Sequence, residues 1–143
     1  MDSDEIKKKR KDGWIEAWFA IEALAVDKET TVAALKNHAE KLSNAKDTLV
    51  YETKFSEATR VENPLPNVKE GYSQVVEVKL FVKNIYAMIN VVVLYGPSSI
   101  EILGPAKKEA KLDELQSLCN LLSGLLHQFA AQGAGGIVIS PGK

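Results

Sequence analysis

This chain of 143 residues has one cysteine, two histidines and only 7% aromatic residues, and each scarcity removes a class of protein. A lone Cys119 forbids any intramolecular disulfide, so a small disulfide-stapled scaffold is excluded. It sits among Leu118, Leu121 and Leu122 and reads as a small hydrophobe, not a nucleophile. Neither histidine has a partner at metal-ligand spacing, so no metal and no cofactor is expected. Serine, histidine and aspartate occur without a nucleophile-elbow pattern, which leaves a hydrolase triad unsupported. No apolar run approaches the length of a membrane span; the longest, Val91 to Tyr95, is far too short. With no apolar leader at the start, a soluble cytoplasmic protein is expected.

Charge of one sign is also missing. A net charge of −1 argues against a protein that neutralises many phosphates, so nucleic acid is not an expected partner. The exception is local: Lys7-Lys8-Lys9-Arg10-Lys11 is a basic run near the start, flanked by Asp2, Asp4, Glu5 and Asp12. It reads as a flexible, solvated segment over residues 1–12, with a weak contact to nucleic acid or anionic lipid as its alternative use.

What the chain does have is ordinary globular content, 45% hydrophobic and 26% charged, in an amount that suits one domain. The domain is expected over 13–143, with a core at 13–105 and an extension at 106–143. Trp14 to Val26 alternates as a strand, with Ile15, Ala17, Phe19, Ile21, Ala23 and Ala25 on one face. Asp27 or Thr30 then caps a helix marked by Val32, Leu35, Ala39 and Leu42. Alternation from Asp47 to Ser56 predicts a second strand. Residues 60–71, with Pro64, Pro66 and Gly71, read as a loop before a strand over Tyr72 to Val82.

The stretch from Lys83 to Pro105 is the most telling. Ile85, Met88, Ile89, Val92 and Val93 recur at i, i+3, i+4, i+7 and i+8, one face of a helix. Asn84 caps its start, and Gly96-Pro97 stops it before the short strand Ile100 to Leu103. Three consecutive valines favour a rival strand reading, but the apolar stripe fits the helix better. The order strand, helix, strand, strand, helix, strand is that of a ferredoxin-like split βαβ fold (βαββαβ). The expected class is therefore α+β: an antiparallel sheet with an added C-terminal helix, Leu112 to Gln132, and a short strand near Gly135 to Ser140.

The decapeptide Gly96 to Pro105 resembles the end of a WYL-associated C-terminal domain of bacterial regulators, where a helix, a glycine, a short Val/Ile-Glu-Val/Ile strand and a proline follow in that order. The whole element order is similar to ACT-type regulatory domains, and that resemblance implies dimerisation and a small effector. ACT domains carry a glycine turn after their first strand, where this chain has Asp27-Lys28-Glu29. The chain also looks like an uncharacterised archaeal protein.

A split βαβ sheet leaves one face without helices, here expected to carry Trp18, Leu24, Val75 and Phe81 beside several charges. The last helix is apolar over more than one stripe, through Leu115, Leu118, Cys119, Leu122, Leu125, Leu126 and Phe129. More apolar surface than one subunit can hide predicts a homo-oligomer, most simply a dimer. The expected function is non-catalytic self-association, with a small effector bound at a subunit boundary. The alternative is a small oligomeric enzyme whose site forms between subunits from Tyr51, Glu52, Lys54 and Glu77. Further candidates for ligand binding are the turn residues Gly96, Ser98 and Ser99, and His127. The last lies in a polar stripe with Gln116, Asn120 and Ser123 on an otherwise apolar helix. His38 reads as structural. Gly133-Ala134-Gly135-Gly136 follows a helix instead of opening one, so it reads as a connector, not a phosphate loop.

Overall fold

The computed structural model describes residues 2–132. The chain divides into two compact units, Met1–Lys108 and Glu109–Lys143. In the first, the order is α1 (Ser3–Lys11), β1 (Ile15–Ala25), α2 (Lys28–Ser43), β2 (Thr48–Phe55), β3 (Thr59–Leu65), β4 (Val68–Val82), α3 (Ile85–Tyr95) and β5 (Ser99–Gly104). The five strands form one antiparallel sheet in the order β2-β4-β1-β5, with β3 also paired to β4. Strand β4 organises it. One edge runs along β1 from Ala25↔Tyr72 to Ile15↔Val82, so the other is left for β3 and then β2.

Alternation decides which face is greasy. The pairs Ile15↔Val82, Ala17↔Leu80, Phe19↔Val78 and Ile21↔Val76 place eight apolar side chains on one side of the two central strands. Onto that side α2 brings Leu35 and Leu42, and α3 brings Ala87, Met88 and Val91. A fully buried Leu or Phe contributes about 1.5–3 kcal/mol relative to an exposed one, so this layer carries most of the stability. Helix α2 starts where Asp27 Oδ1 accepts the Thr30 N–H at 2.8 Å. Helix α3 starts where Asn84 Oδ1 accepts from Ala87 N at 2.9 Å, and ends at Gly96 in the left-handed region (φ 54°, ψ 51°). The strand reading of residues 85–95 is thus rejected: Met88 and Val91 share one buried helical stripe.

Two sequence expectations change. The stretch 60–71 is not a loop but a hairpin made of β3 and the first residues of β4. Proline misled the reading: Pro64 lies in β3, an edge strand, where a missing N–H is tolerated. Asn63 and Asn67 take the positive φ values the bend requires. Gly71 is obligatory beside them, since a Cβ there would stand 2.9 Å from Ala25 O and from Pro64 Cγ. The basic run is not a frayed end either; it forms the last turn of α1. Asp2 caps that helix, Asp4 and Glu5 occupy its first turn, and Lys8 to Lys11 its last, so the charges complement the helix dipole.

The second unit contains α4 (Leu112–Ala131), which starts at Lys111 without a side-chain cap and buries no residue. Leu112, Leu115, Leu122, Leu126 and Phe129 are 42–83% exposed. The expected strand at Gly135 to Ser140 lies outside the described residues.

Candidate functional site

The sheet face opposite α2 and α3 carries the even residues of β1 and the odd residues of the paired part of β4. Three of the four enzyme candidates share that face, two of them, Glu52 and Lys54, in ion pairs. Glu52 lies opposite Lys79 in the ladder, with Lys79 Nζ 3.6 Å and Lys54 Nζ 3.8 Å from Glu52 Oε2. Lys54 is the ladder partner of Glu77, whose Oε1 accepts from Trp18 Nε1 at 3.1 Å. These groups are well exposed, and such pairs contribute about 0–1 kcal/mol each. None of them lines the three cavities described below.

Tyr51 goes elsewhere. The β2–β4 register shifts between Val50 and Glu52, and this bulge frees Tyr51 from the ladder. Its hydroxyl donates to Glu16 Oε2, and its ring lies 5.1 Å from that of Phe81. Phe81 is fully buried, so the expectation of a bare aromatic there is corrected. Trp18 and Val75 are half-buried, and Leu24 is exposed at 42%.

Glu16, at 8% exposure, is the most buried carboxylate described. Arg10 clamps it through Nε on Oε1 and Nη2 on Oε2, both at 2.9 Å. A bidentate, charge-assisted pair of this kind fixes orientation as well as charge. The Arg10 hydrogen bond holds the Glu16 carboxyl below the usual range, against the opposing effect of burial, and Glu16 in turn raises Arg10. Burial first, then the bond to Glu16, pushes the Tyr51 phenol up to about 12. Arg10, Glu16 and Tyr51 thus join α1, β1 and β2. Sequence reasoning missed this trio, because nothing local marks residues 10, 16 and 51 as neighbours.

Beside it opens a cleft of about 290 Å³ lined by Arg10, Trp14, Glu16, Leu103, Gly104 and Pro105. Lys9 Nζ stands 3.9 Å from the centroid of the Trp14 ring. Lys108 Nζ donates to Gly13 O at 2.7 Å.

Gly96, Ser98 and Ser99 serve the turn between α3 and β5. Ser98 donates to Ala20 O from both its amide, at 2.8 Å, and its hydroxyl, at 3.1 Å, while Ser99 pairs with Ala20. Gly96 also borders a second cavity of about 280 Å³, walled by Ile21, Ala23, Leu35, His38 and Tyr95. There His38 Nε2 sits 2.9 Å from Tyr95 O, and its ring meets Tyr95 edge-on at 5.1 Å, a structural arrangement. A third, shallower hollow of about 660 Å³ lies at the β3–β4 bend, around Pro64 to Val68. His127 is exposed on α4, in the second unit, on the stripe where Gln116 Nε2 donates to Asn120 Oδ1 at 3.4 Å. No group of three or more His, Cys, Asp or Glu side chains that could hold a metal occurs among the described residues. No described helix is long and apolar enough to cross a membrane.

These features define a mixed α/β protein built on a five-stranded antiparallel sheet with four helices among its described residues. The chain belongs to the MJ0538 family, an uncharacterised family named for an archaeal protein, whose model matches residues 16–141. The archaeal likeness noted in the sequence agrees with that membership, whereas the ACT-type and WYL-associated resemblances find no support in it. No curated protein matches the chain.

Proposed function

We propose that this MJ0538-family protein is a non-catalytic α+β assembly module that pairs with a second copy of itself through α4. The observation that carries the reading is the spacing of Leu115, Leu118, Leu122, Leu125 and Phe129, three-four-three-four along a helix that buries none of them. That rhythm is the seam of a two-stranded coiled coil, in which each knob needs a hole on a facing helix. Its own counterpart is the simplest partner, because an isologous two-fold contact matches one seam to itself. Asp113 and Glu114 lie in the first turn and no basic residue lies in the last, so an antiparallel pair keeps like charges apart.

The polar sheet face supports the non-catalytic half of the proposal. Glu52 is spent on Lys54 and Lys79 and Glu77 on Trp18, and none of the three lines a described cavity. The fold reading that goes with it is ferredoxin-like. With β3 set aside as an added edge hairpin, the order β2-β4-β1-β5 and the crossovers through α2 and α3 match a split βαβ sheet. The compartment we assign is the cytoplasm, in keeping with a lone cysteine.

Sedimentation velocity tests the pairing. The wild-type chain at tens of micromolar should run as a dimer, and a Leu118→Glu/Leu122→Glu double variant as a folded monomer. A wild-type monomer at that concentration removes the proposal.

A further inference from the structure

We propose that the cleft between the end of α1 and β5 binds a small anion that carries a planar ring, a ligand of the mononucleotide class. The inference uses only the first unit and stands whether or not α4 pairs.

Three observations converge on it. The first is shape: about 290 Å³, open beside Gly104, where an added Cβ would meet nothing within 4 Å. That volume lies just below the usual span of ligand sites, about 300–1,000 Å³, and suits one nucleotide or less. The second is the wall. Trp14 offers an indole, with Leu103 and Pro105 as further apolar lining, which is the surface a flat ring stacks on.

The third is charge. Lys9 and Lys108, almost a hundred residues apart in sequence, converge around Gly13 and Trp14. Neither takes part in an ion pair among the described residues; one meets a ring face and the other a carbonyl. Glu16, which would repel an anion, is already matched by the bidentate Arg10. Asp12 follows directly, but Lys8, Lys9 and Lys11 outweigh it even with Arg10 committed to Glu16. Two ammonium groups on flexible four-carbon stems, held by neutral partners, can swing to a phosphate without breaking a salt bridge. A polymer is disfavoured, because the chain as a whole is slightly negative.

Isothermal titration of the full chain with adenosine 5′-monophosphate at low ionic strength tests the site. Saturable binding is expected, weaker for adenosine and for inorganic phosphate alone, and falling as salt rises. Lys9→Gln and Lys108→Gln should each weaken it about tenfold, as loss of one charge-assisted contact does, in chains that still unfold in one cooperative transition. Trp14→Phe keeps an aromatic wall and should retain weaker binding, so a folding failure cannot imitate loss of the site. No saturable binding, lysine variants that bind like wild type, or adenosine or phosphate binding as tightly as the nucleotide would each overturn the proposal. A single-stranded oligonucleotide binding far more tightly per site than the mononucleotide would overturn it in favour of a nucleic-acid surface.

Discussion

Helices α2 and α4 carry the same kind of apolar rhythm and meet different surroundings. Along α2, Thr31, Leu35, Ala39 and Leu42 all vanish against the sheet. Along α4, a longer and greasier stripe buries nothing. The contrast teaches that periodicity announces a face in need of cover without naming what covers it. For α2 the cover is dictated by the chain's own connections: two residues separate it from β1 and four from β2, so it has nowhere to lie except on those strands. No such short tether returns α4 to a following strand among the described residues.

The sharpest way to break the comparison is to truncate equivalent leucines. Leu42→Ala in α2 should cost about 3–5 kcal/mol in urea denaturation, because the site is fully buried and hemmed in by strands. Leu122→Ala in α4 should cost less than about 1 kcal/mol at concentrations too low for pairing, as exposed truncations do. Equal losses would show that α4 belongs to the same cooperative core as α2.

Next in size is the trio that fastens α1. Glu16→Gln should destabilise by about 1–3 kcal/mol, the range for losing a buried charge-assisted hydrogen bond. Two pH effects accompany it. Because folding lowers the Glu16 carboxyl, its contribution is present above about pH 4.5 and drains away as pH falls through the lower folded value. Because folding raises Tyr51 from 10.0 to about 12, its contribution is intact below pH 10 and is lost as pH climbs from 10 towards 12. Thermal melts across both windows should show a Tyr51→Phe chain losing the alkaline loss, and a Glu16→Gln chain losing the acid loss and part of the alkaline one, since burial is the larger cause of the Tyr51 shift. An unchanged alkaline profile in Tyr51→Phe would refute the coupling.

The smallest expected effect is at a cap. Asn84→Ala removes the acceptor for the Ala87 amide and should cost about 1 kcal/mol, with Asn84→Asp keeping most of it. If both changes are neutral in denaturant titrations, packing of Met88 and Val91 alone fixes where α3 starts.

How much was legible varied by the range of the interaction that mattered. Strands β1 and β5 and helices α2, α3 and α4 were readable, because alternation, helical stripes, Asp27, Asn84 and Gly96 are all local signals. The β3–β4 hairpin was not, since Pro64 and Pro66 look like breakers unless one knows that β3 is an edge. Helix α1 was hidden inside a charge run whose order, acids first and bases last, was its real message. Among the candidate residues, Glu52, Lys54 and Glu77 do share a face, as alternation implied. Tyr51 was assigned to the wrong company, because a single-residue bulge turns it towards Glu16.

Local periodicity, capping residues and turn residues therefore dictated which segments became helices and which became strands, since those preferences act over a few residues and are written in consecutive letters. The sheet order, the burial of Phe81, the clamp of Arg10 on Glu16 and the placement of Lys9 on Trp14 and of Lys108 on Gly13 came only from the folded chain. Such neighbours are joined by strand register and backbone reach, and neither quantity is contained in any one stretch of the sequence.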